Sequence, residues 1–241
     1  MASFVRSGKK IVAIGRNYAE HIKELSNTAP KEPFFFLKPT TSYLTSGGQV
    51  EIPSGILAHH EGNSFELGLI IGKRGRDISQ ANAEAHIAGY TLAVDMTARN
   101  LQDRAKKSGL PWSAAKGFDT FTPIGSVNYV RKYSYSLSFI PKENVLDPHN
   151  LRLSLKINGA FKQNGTTADM IFRIPRLIEH ISSIMTLEEG DLVLTGTPSG
   201  VGPITAGDKV ECLLADPSGT ELDSLIFTAV DRQGGYQFKS E

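Results

Sequence analysis

Cysteine is nearly absent. Cys212 alone stands in 241 residues, so the chain can form no internal disulfide and no cysteine-rich zinc site. Its surroundings, Lys209-Val210-Glu211-Cys212-Leu213-Leu214, read as a strand, which places the thiol in the core rather than in nucleophilic chemistry. Charge of one sign is also missing. Lys+Arg 26 against Asp+Glu 25 gives a net charge of +1, which argues against nucleic acid or an anionic membrane as partner. No apolar run approaches the roughly 18 residues of a membrane-spanning helix. Internal repeats, low-complexity blocks and long linkers are lacking too. The composition is ordinary for a globular chain, 40% hydrophobic and 21% charged, and the length suits one sizeable core or two small lobes.

What is present is a series of short apolar runs punctuated by 23 Gly and 12 Pro. Strand-length runs are expected at 11–14, 34–37, 67–71, 90–94, 151–157, 191–195, 209–214 and 224–230. Helices are expected at 18–25, 81–88, 98–107 and 174–183, the last from apolar residues at Ile174, Leu177, Ile178 and Ile181. Strands and helices do not alternate, so the expected class is β-dominated α+β rather than a doubly wound parallel sheet. Asn164-Gly165-Thr166 matches a glycosylation sequon but, with no secretory signal peptide, is expected to be a turn. Arg6, Lys9 and Lys10, with no acid before Glu20, resemble a very short mitochondrial presequence. The expected compartment is the mitochondrion, with the cytosol as alternative.

Chemistry-bearing residues fall in four places. In Gly15-Arg16-Asn17-Tyr18-Ala19-Glu20-His21-Ile22-Lys23-Glu24, Asn17 and Glu20 have capping-box spacing, and His21 and Glu24 lie one turn apart on one face. A glutamate beside an imidazole orients it as a general base. The competing reading is a chance pair on a solvated face. Three acids accompany apolar strands: Glu61, Glu66 and Asp95. Acids at the ends of buried strands need a partner, either arginines such as Arg74, Arg76 and Arg99 or a hard cation such as Mg²⁺. His59-His60 does not suit a single metal, because neighbouring strand residues point to opposite faces. Lys116 lies in a small-residue segment away from other acids, where it could neutralise an anionic substrate or enolate, or be a plain surface lysine. Finally, Thr195-Gly196-Thr197-Pro198-Ser199-Gly200-Val201-Gly202-Pro203 offers N–H groups and hydroxyls suited to a carboxylate; without a following Gly-Lys-Ser/Thr it is no Walker loop.

Taken together, the chain resembles the fumarylacetoacetate hydrolase superfamily, and within it the small members of acylpyruvate hydrolase and oxaloacetate decarboxylase type. The resemblance runs from about Lys10 to the C-terminus. It is carried by Gly15-Arg16-Asn17-Tyr18-Ala19-Glu20-His21, Pro33-Phe34-Phe35-Phe36-Leu37-Lys38-Pro39, Asp95-Met96-Thr97-Ala98-Arg99-Asn100-Leu101-Gln102-Asp103, Lys107-Ser108-Gly109-Leu110-Pro111-Trp112 and Leu192-Val193-Leu194-Thr195-Gly196-Thr197-Pro198. The resemblance implies a mixed β-roll as one catalytic domain over 1–241, with an N-terminal strand and lid segment at about 10–32. It implies a homodimer holding Mg²⁺, or Mn²⁺ as substitute, through Glu61, Glu66 and Asp95. His21 and Glu24 would be the lid dyad and Lys116 the active-site lysine, with Arg16, Tyr18, Arg99, Gln102 and Thr197 at substrate-binding positions.

One departure stands out. The family pattern is Glu-x-Glu after the two histidines, whereas this chain reads Glu61-Gly62-Asn63-Ser64-Phe65-Glu66, three residues longer. In a regular strand that separation puts the two carboxylates on opposite faces. A bulge at Gly62-Asn63 would restore Glu61 to the metal; otherwise Ser64 takes its place. The implied substrates are small 2-oxo acids. Acylpyruvates would be hydrolysed, or oxaloacetate decarboxylated, through an enolate stabilised by metal and Lys116. Keto–enol tautomerisation of oxaloacetate is the alternative, and a catalytically degraded 2-oxo-acid-binding protein is a second.

Overall fold

A computed structural model describes residues 4–24, 28–60, 65–125 and 139–239. Its strands are β1 Ile11–Gly15, β2 Phe34–Lys38, β3 Tyr43–Thr45, β4 Gln49–Ile52, β5 Ala58–His60, β6 Phe65–Ile71, β7 Ile87–Val94, β8 Thr97–Ala98, β9 Thr122–Ile124, β10 Ile140–Pro141, β11 Arg152–Ile157, β12 Ala160–Thr166, β13 Leu192–Leu194, β14 Gly202–Pro203, β15 Lys209–Ala215 and β16 Glu221–Asp231. Helices are short: α1 Phe4–Ser7, α2 Ala19–Glu24, α3 Arg99–Lys107, α4 Ser113–Lys116 and α5 Ile174–Ile184.

The largest sheet runs β2-β1-β13-β6-β7-β9-β3, with β10 added on β7. Its two edge strands, β2 and β3, are consecutive in the chain and joined only by residues 39–42. So short a link forces the sheet to curl until its edges approach, which makes the β-roll. The curl explains why β1 and β6 are buried at every position. Alternate residues serve two cores. Val12 and Ile14 join the large cluster, whereas Ile11 and Ala13 join a smaller one with Phe4, Ile70, Ala93, Ile124, Leu192 and Leu194. A second sheet, β12-β11-β15-β16-β4, is antiparallel except for the β16–β4 pair, and its β11 and β15 bury alternate residues, as strands with one wet face do. Cys212 lies buried in β15, as expected. The mixed, sheet-dominated architecture is the expected one.

Two local expectations fail. Residues 81–88 do not form a helix. Gln80–His86 is a 3-10 turn with only Ala83 buried, and Ile87 opens β7 opposite Ile71; Ala83 alone gives no apolar stripe to hold an α-helix. The sequon is no turn, because Asn164 to Thr166 pair with β11. The N-terminal segment also has contacts in the fold. Phe4 packs edge-on against Tyr43, while Asp191 accepts hydrogen bonds from the Lys9 and Lys10 N–H groups and pairs with the Lys10 ammonium.

Asp223 on β16 bridges the two sheets. One oxygen accepts the Leu92 N–H of β7 at 2.9 Å, while the other is buried without a partner among the described residues. Burial pushes its pKa up from 3.8 to about 7, against the pull of the Leu92 and Ser224 N–H groups. A raised carboxylate pKa means that the native state holds the proton more tightly. Stability is therefore lost as pH climbs from about 4 to about 7. Across that window Asp223→Asn is expected to gain on the unmodified protein, by on the order of 4 kcal/mol at most. Urea unfolding of both proteins at pH 4, 5.5 and 8 measures it, and a pH-independent difference contradicts it.

Candidate active site

Glu66 stands on β6 on the same face as Gly68 and Ile70, opposite Ala93 of β7. Asp95 follows β7 two residues beyond Ala93 and so shares that face. Both are completely buried. Asp95 does not meet an arginine. One oxygen accepts from Lys38 Nζ at 2.6 Å and the other from Lys116 Nζ at 2.5 Å. Arg74, Arg76 and Arg99 pair instead with Glu188, Asp77 and Asp103. Lys116, expected to lie away from other acids, is therefore clamped to one, and its Nζ also sits 4.5 Å from the centre of the Phe36 ring.

Glu66 is held differently. One oxygen accepts the Gly196 N–H at 2.6 Å, and the other is buried with no partner among the described residues. Burial first, then the charge of Asp95, raises its pKa well above the usual range, opposed by the Gly196 N–H, Lys116 and Lys38. An orphaned carboxylate oxygen that feels the charge of a second carboxylate is a place a hard cation fits, because the cation supplies the missing partner and removes the repulsion. Glu66 and Asp95 are the donors available. Among the described residues no group of three or more His, Cys, Asp or Glu forms a metal cluster. Glu61 and Ser64, between which the third position lies, fall outside the described residues.

Helix α2 carries the expected dyad. His21 is buried on α2, and its Nδ1 lies 3.2 Å from Glu24 Oε2. Glu24 in turn accepts the Gly200 N–H at 3.2 Å, tying the helix to the 195–203 loop. That loop binds carboxylates through its N–H groups, as its composition suggests, but those in the structure are the protein's own Glu66 and Glu24. Gly196 has φ +95, and a Cβ there would sit 2.9 Å from Asn17 Cβ, so glycine is required where its N–H meets Glu66. The expected capping box is absent. Asn17 is buried and donates to Phe172 O and Thr195 O while accepting the Phe172 N–H, and Glu20 pairs with Lys23. Asn17 pins the turn onto the core instead of capping it.

The remaining expected contacts divide. Thr197 is buried and donates to Phe65 O at 3.0 Å, fixing the loop to the start of β6. Gln102 is buried on α3, the helix that also carries Arg99, whose Nε lies 3.1 Å from Asp103. Arg16 has a left-handed φ of 58, between β1 and α2. Tyr18 packs in the main core with its hydroxyl buried and unpartnered among the described residues; burial, then Glu66, raises its pKa. Two residues escaped notice in the sequence. Lys38 also donates to Met96 O and Phe121 O, and burial lowers its pKa to about 8. Its signal is its place: a lysine closing an apolar strand must find an acid. Gln163 donates to Thr197 and Pro198 from β12 and carries no such signal.

Residues 10–225 match the fumarylacetoacetate (FAA) hydrolase C-terminal family. The chain is 52% identical over 90% of its length to an oxaloacetate tautomerase (FAHD1, mitochondrial) of Arabidopsis thaliana, covering 92% of that protein. It is likewise 52% identical to a mitochondrial oxaloacetate decarboxylase of Dictyostelium discoideum, over 88% of this chain and 91% of that one. Yeast ynq8, a fumarylacetoacetate hydrolase family protein of known structure, superposes with a TM-score of 0.83 at 35% identity, with each chain covered completely. Fold, motifs and relatives agree, and the chain belongs to the fumarylacetoacetate hydrolase family.

Proposed function

We propose that the protein processes oxaloacetate, interconverting its enol and keto forms and releasing CO₂ from it more slowly, in mitochondria as its relatives' names indicate for them. The observation that carries this reading is the buried Glu66 and Asp95, the latter clamped by Lys38 and Lys116, joined through the 195–203 loop to the His21–Glu24 dyad. Bound at Glu66 and Asp95, with Glu61 as third ligand, Mg²⁺ or Mn²⁺ would act as a Lewis acid toward the oxygens of a 2-oxo acid.

The chain's own residues do the rest. Lys116 and Lys38 place two positive charges where negative charge develops on an enolate, and burial makes those charges count for more than in water. Glu24 facing Nδ1 fixes the ring proton there and leaves Nε2 as the basic nitrogen. In tautomerisation the enol hydroxyl loses its proton and C3 gains one, with no net change in atoms; His21 carries out such a transfer. In decarboxylation the C3–C4 bond breaks, CO₂ leaves with C4, and the bonding pair stays on the pyruvate enolate, which takes up a proton at C3 to give pyruvate. Arg16, Arg99 and Gln102 line the approach for the substrate carboxylates. Acylpyruvate hydrolysis is the second reading, favoured by a dyad equally suited to activating water. The protein would act as a homodimer. Edge strand β2, with Phe34 and Leu37 exposed beside Leu110, supports this by offering an apolar rim to a second copy.

The test follows enol absorbance during ketonisation of oxaloacetate, beside pyruvate release from oxaloacetate and from acetylpyruvate. Enol loss is expected to be fastest. Faster cleavage of acetylpyruvate would select the hydrolase, and no turnover of any would leave a binding protein.

A further inference from the structure

One lysine near the site has no part in the account above. Lys106 ends α3 one helical turn after Gln102 and two turns after Arg99, so the three share a face. Its Nζ stands 5.4 Å from the centre of the Trp112 ring, and Trp112 packs tilted by 58° against Phe36, the ring beside Lys116, at 5.7 Å. The two ammonium groups thus lie against adjoining rings, Lys116 on the buried Phe36 side and Lys106 on the open Trp112 side, where its side chain is 38% exposed. Its nearest carboxylate among the described residues is Asp103 at 3.9 Å, which also lies 3.1 Å from Arg99. Burial, then repulsion by Arg99, Arg16 and Lys116, pulls its pKa below the usual lysine range, with only Asp103 opposing. A cation gathered among cations, over a ring and with one shared acid, gains most from an anion brought in from outside.

We propose that Lys106 is a specificity-determining residue whose ammonium receives the distal carboxylate of a four-carbon 2-oxo dicarboxylate. Lys116 holds the reacting end and Lys106 the far end. This deepens the oxaloacetate reading and rests on it. It separates dicarboxylates from acylpyruvates, whose neutral acyl carbonyl at that end offers the ammonium a much weaker partner than a carboxylate.

Lys106→Met keeps the aliphatic stem on Trp112 and removes the charge, while Lys106→Arg keeps the charge. For Lys106→Met, kcat/KM on oxaloacetate is expected to fall about tenfold or more, mainly through KM, as loss of a charged hydrogen bond does. Turnover of acetylpyruvate is expected to be unchanged, and Lys106→Arg is expected to recover most of the loss. Equal losses on both substrates, or on neither, overturn the proposal. Trp112 is the chain's one tryptophan, so its fluorescence gives a second readout independent of turnover. Oxaloacetate is expected to shift its emission in the unmodified protein and not in Lys106→Met, whereas oxalate, which has no distal carboxylate, shifts neither. Were the unmodified protein to turn over none of these acids, the proposed function would fall. The titration would still decide on Lys106: an oxaloacetate response abolished by Lys106→Met supports it, and an equal response in both, or none in either, overturns it.

Discussion

Glu66→Ala is expected to lower oxaloacetate turnover about a thousandfold, since Lewis-acid stabilisation is worth several kcal/mol and each 1.36 kcal/mol is tenfold in rate. Glu66 is where the geometry leaves a position for a cation. Asp95 is already neutralised by two lysines, whereas one Glu66 oxygen is buried and unpartnered among the described residues. Removing the orphaned oxygen relieves a burial cost, while losing the Gly196 N–H bond to the other oxygen costs about 1–3 kcal/mol, so the variant is expected to stay folded with a modestly lower melting temperature. Glu66→Gln keeps the shape and the Gly196 bond but not the charge, and should lose turnover nearly as far. Turnover against added Mg²⁺, with a thermal melt of each variant, measures this. Activity kept in both would remove Glu66 from the reaction.

His21→Ala comes next in size and separates the reactions. Loss of a positioned base costs about 10²–10⁴ in rate. Hydrolysis of acetylpyruvate and ketonisation of enol-oxaloacetate both need a proton moved at the site, so both should fall by that range. Decarboxylation needs no attacking water, and the enolate it forms can be protonated after release, so it should fall much less. Glu24→Gln should follow in the same order with smaller losses, because it leaves the imidazole in place and removes only the charge that orients it. Equal loss of all three reactions would count against this division of roles.

Much of this was readable in the chain because it is local. The strands at 11–14 and 67–71 are apolar at consecutive positions because the curled sheet buries both of their faces; the run at 34–37 is as apolar although β2 is an edge strand with Phe34 and Leu37 exposed, and α5 shows its helical spacing openly. The His21–Glu24 pair is legible because i and i+3 meet on any helix. What escaped is what the curl creates. Lys38 and Asp95 are 57 positions apart, and only the return of β2 toward the end of β7 joins them. The same closure turned Lys116 from an isolated cation into half of a clamp. Asn17 looked like a cap because its local alternatives are helical, yet its side chain is spent on Phe172, 155 positions away. The 80–86 turn fooled the pattern because alanines at helical spacing bury too little to pay for a helix. Glu61 lies outside the described residues, so its geometry rests on experiment.

The most direct test strips the unmodified protein with a chelator and follows enol-oxaloacetate ketonisation and pyruvate release while Mg²⁺ is titrated back. The account predicts no turnover after chelation, saturable recovery with Mg²⁺, and no recovery in Glu66→Ala. Turnover untouched by chelation, or none with Mg²⁺ restored, would contradict it.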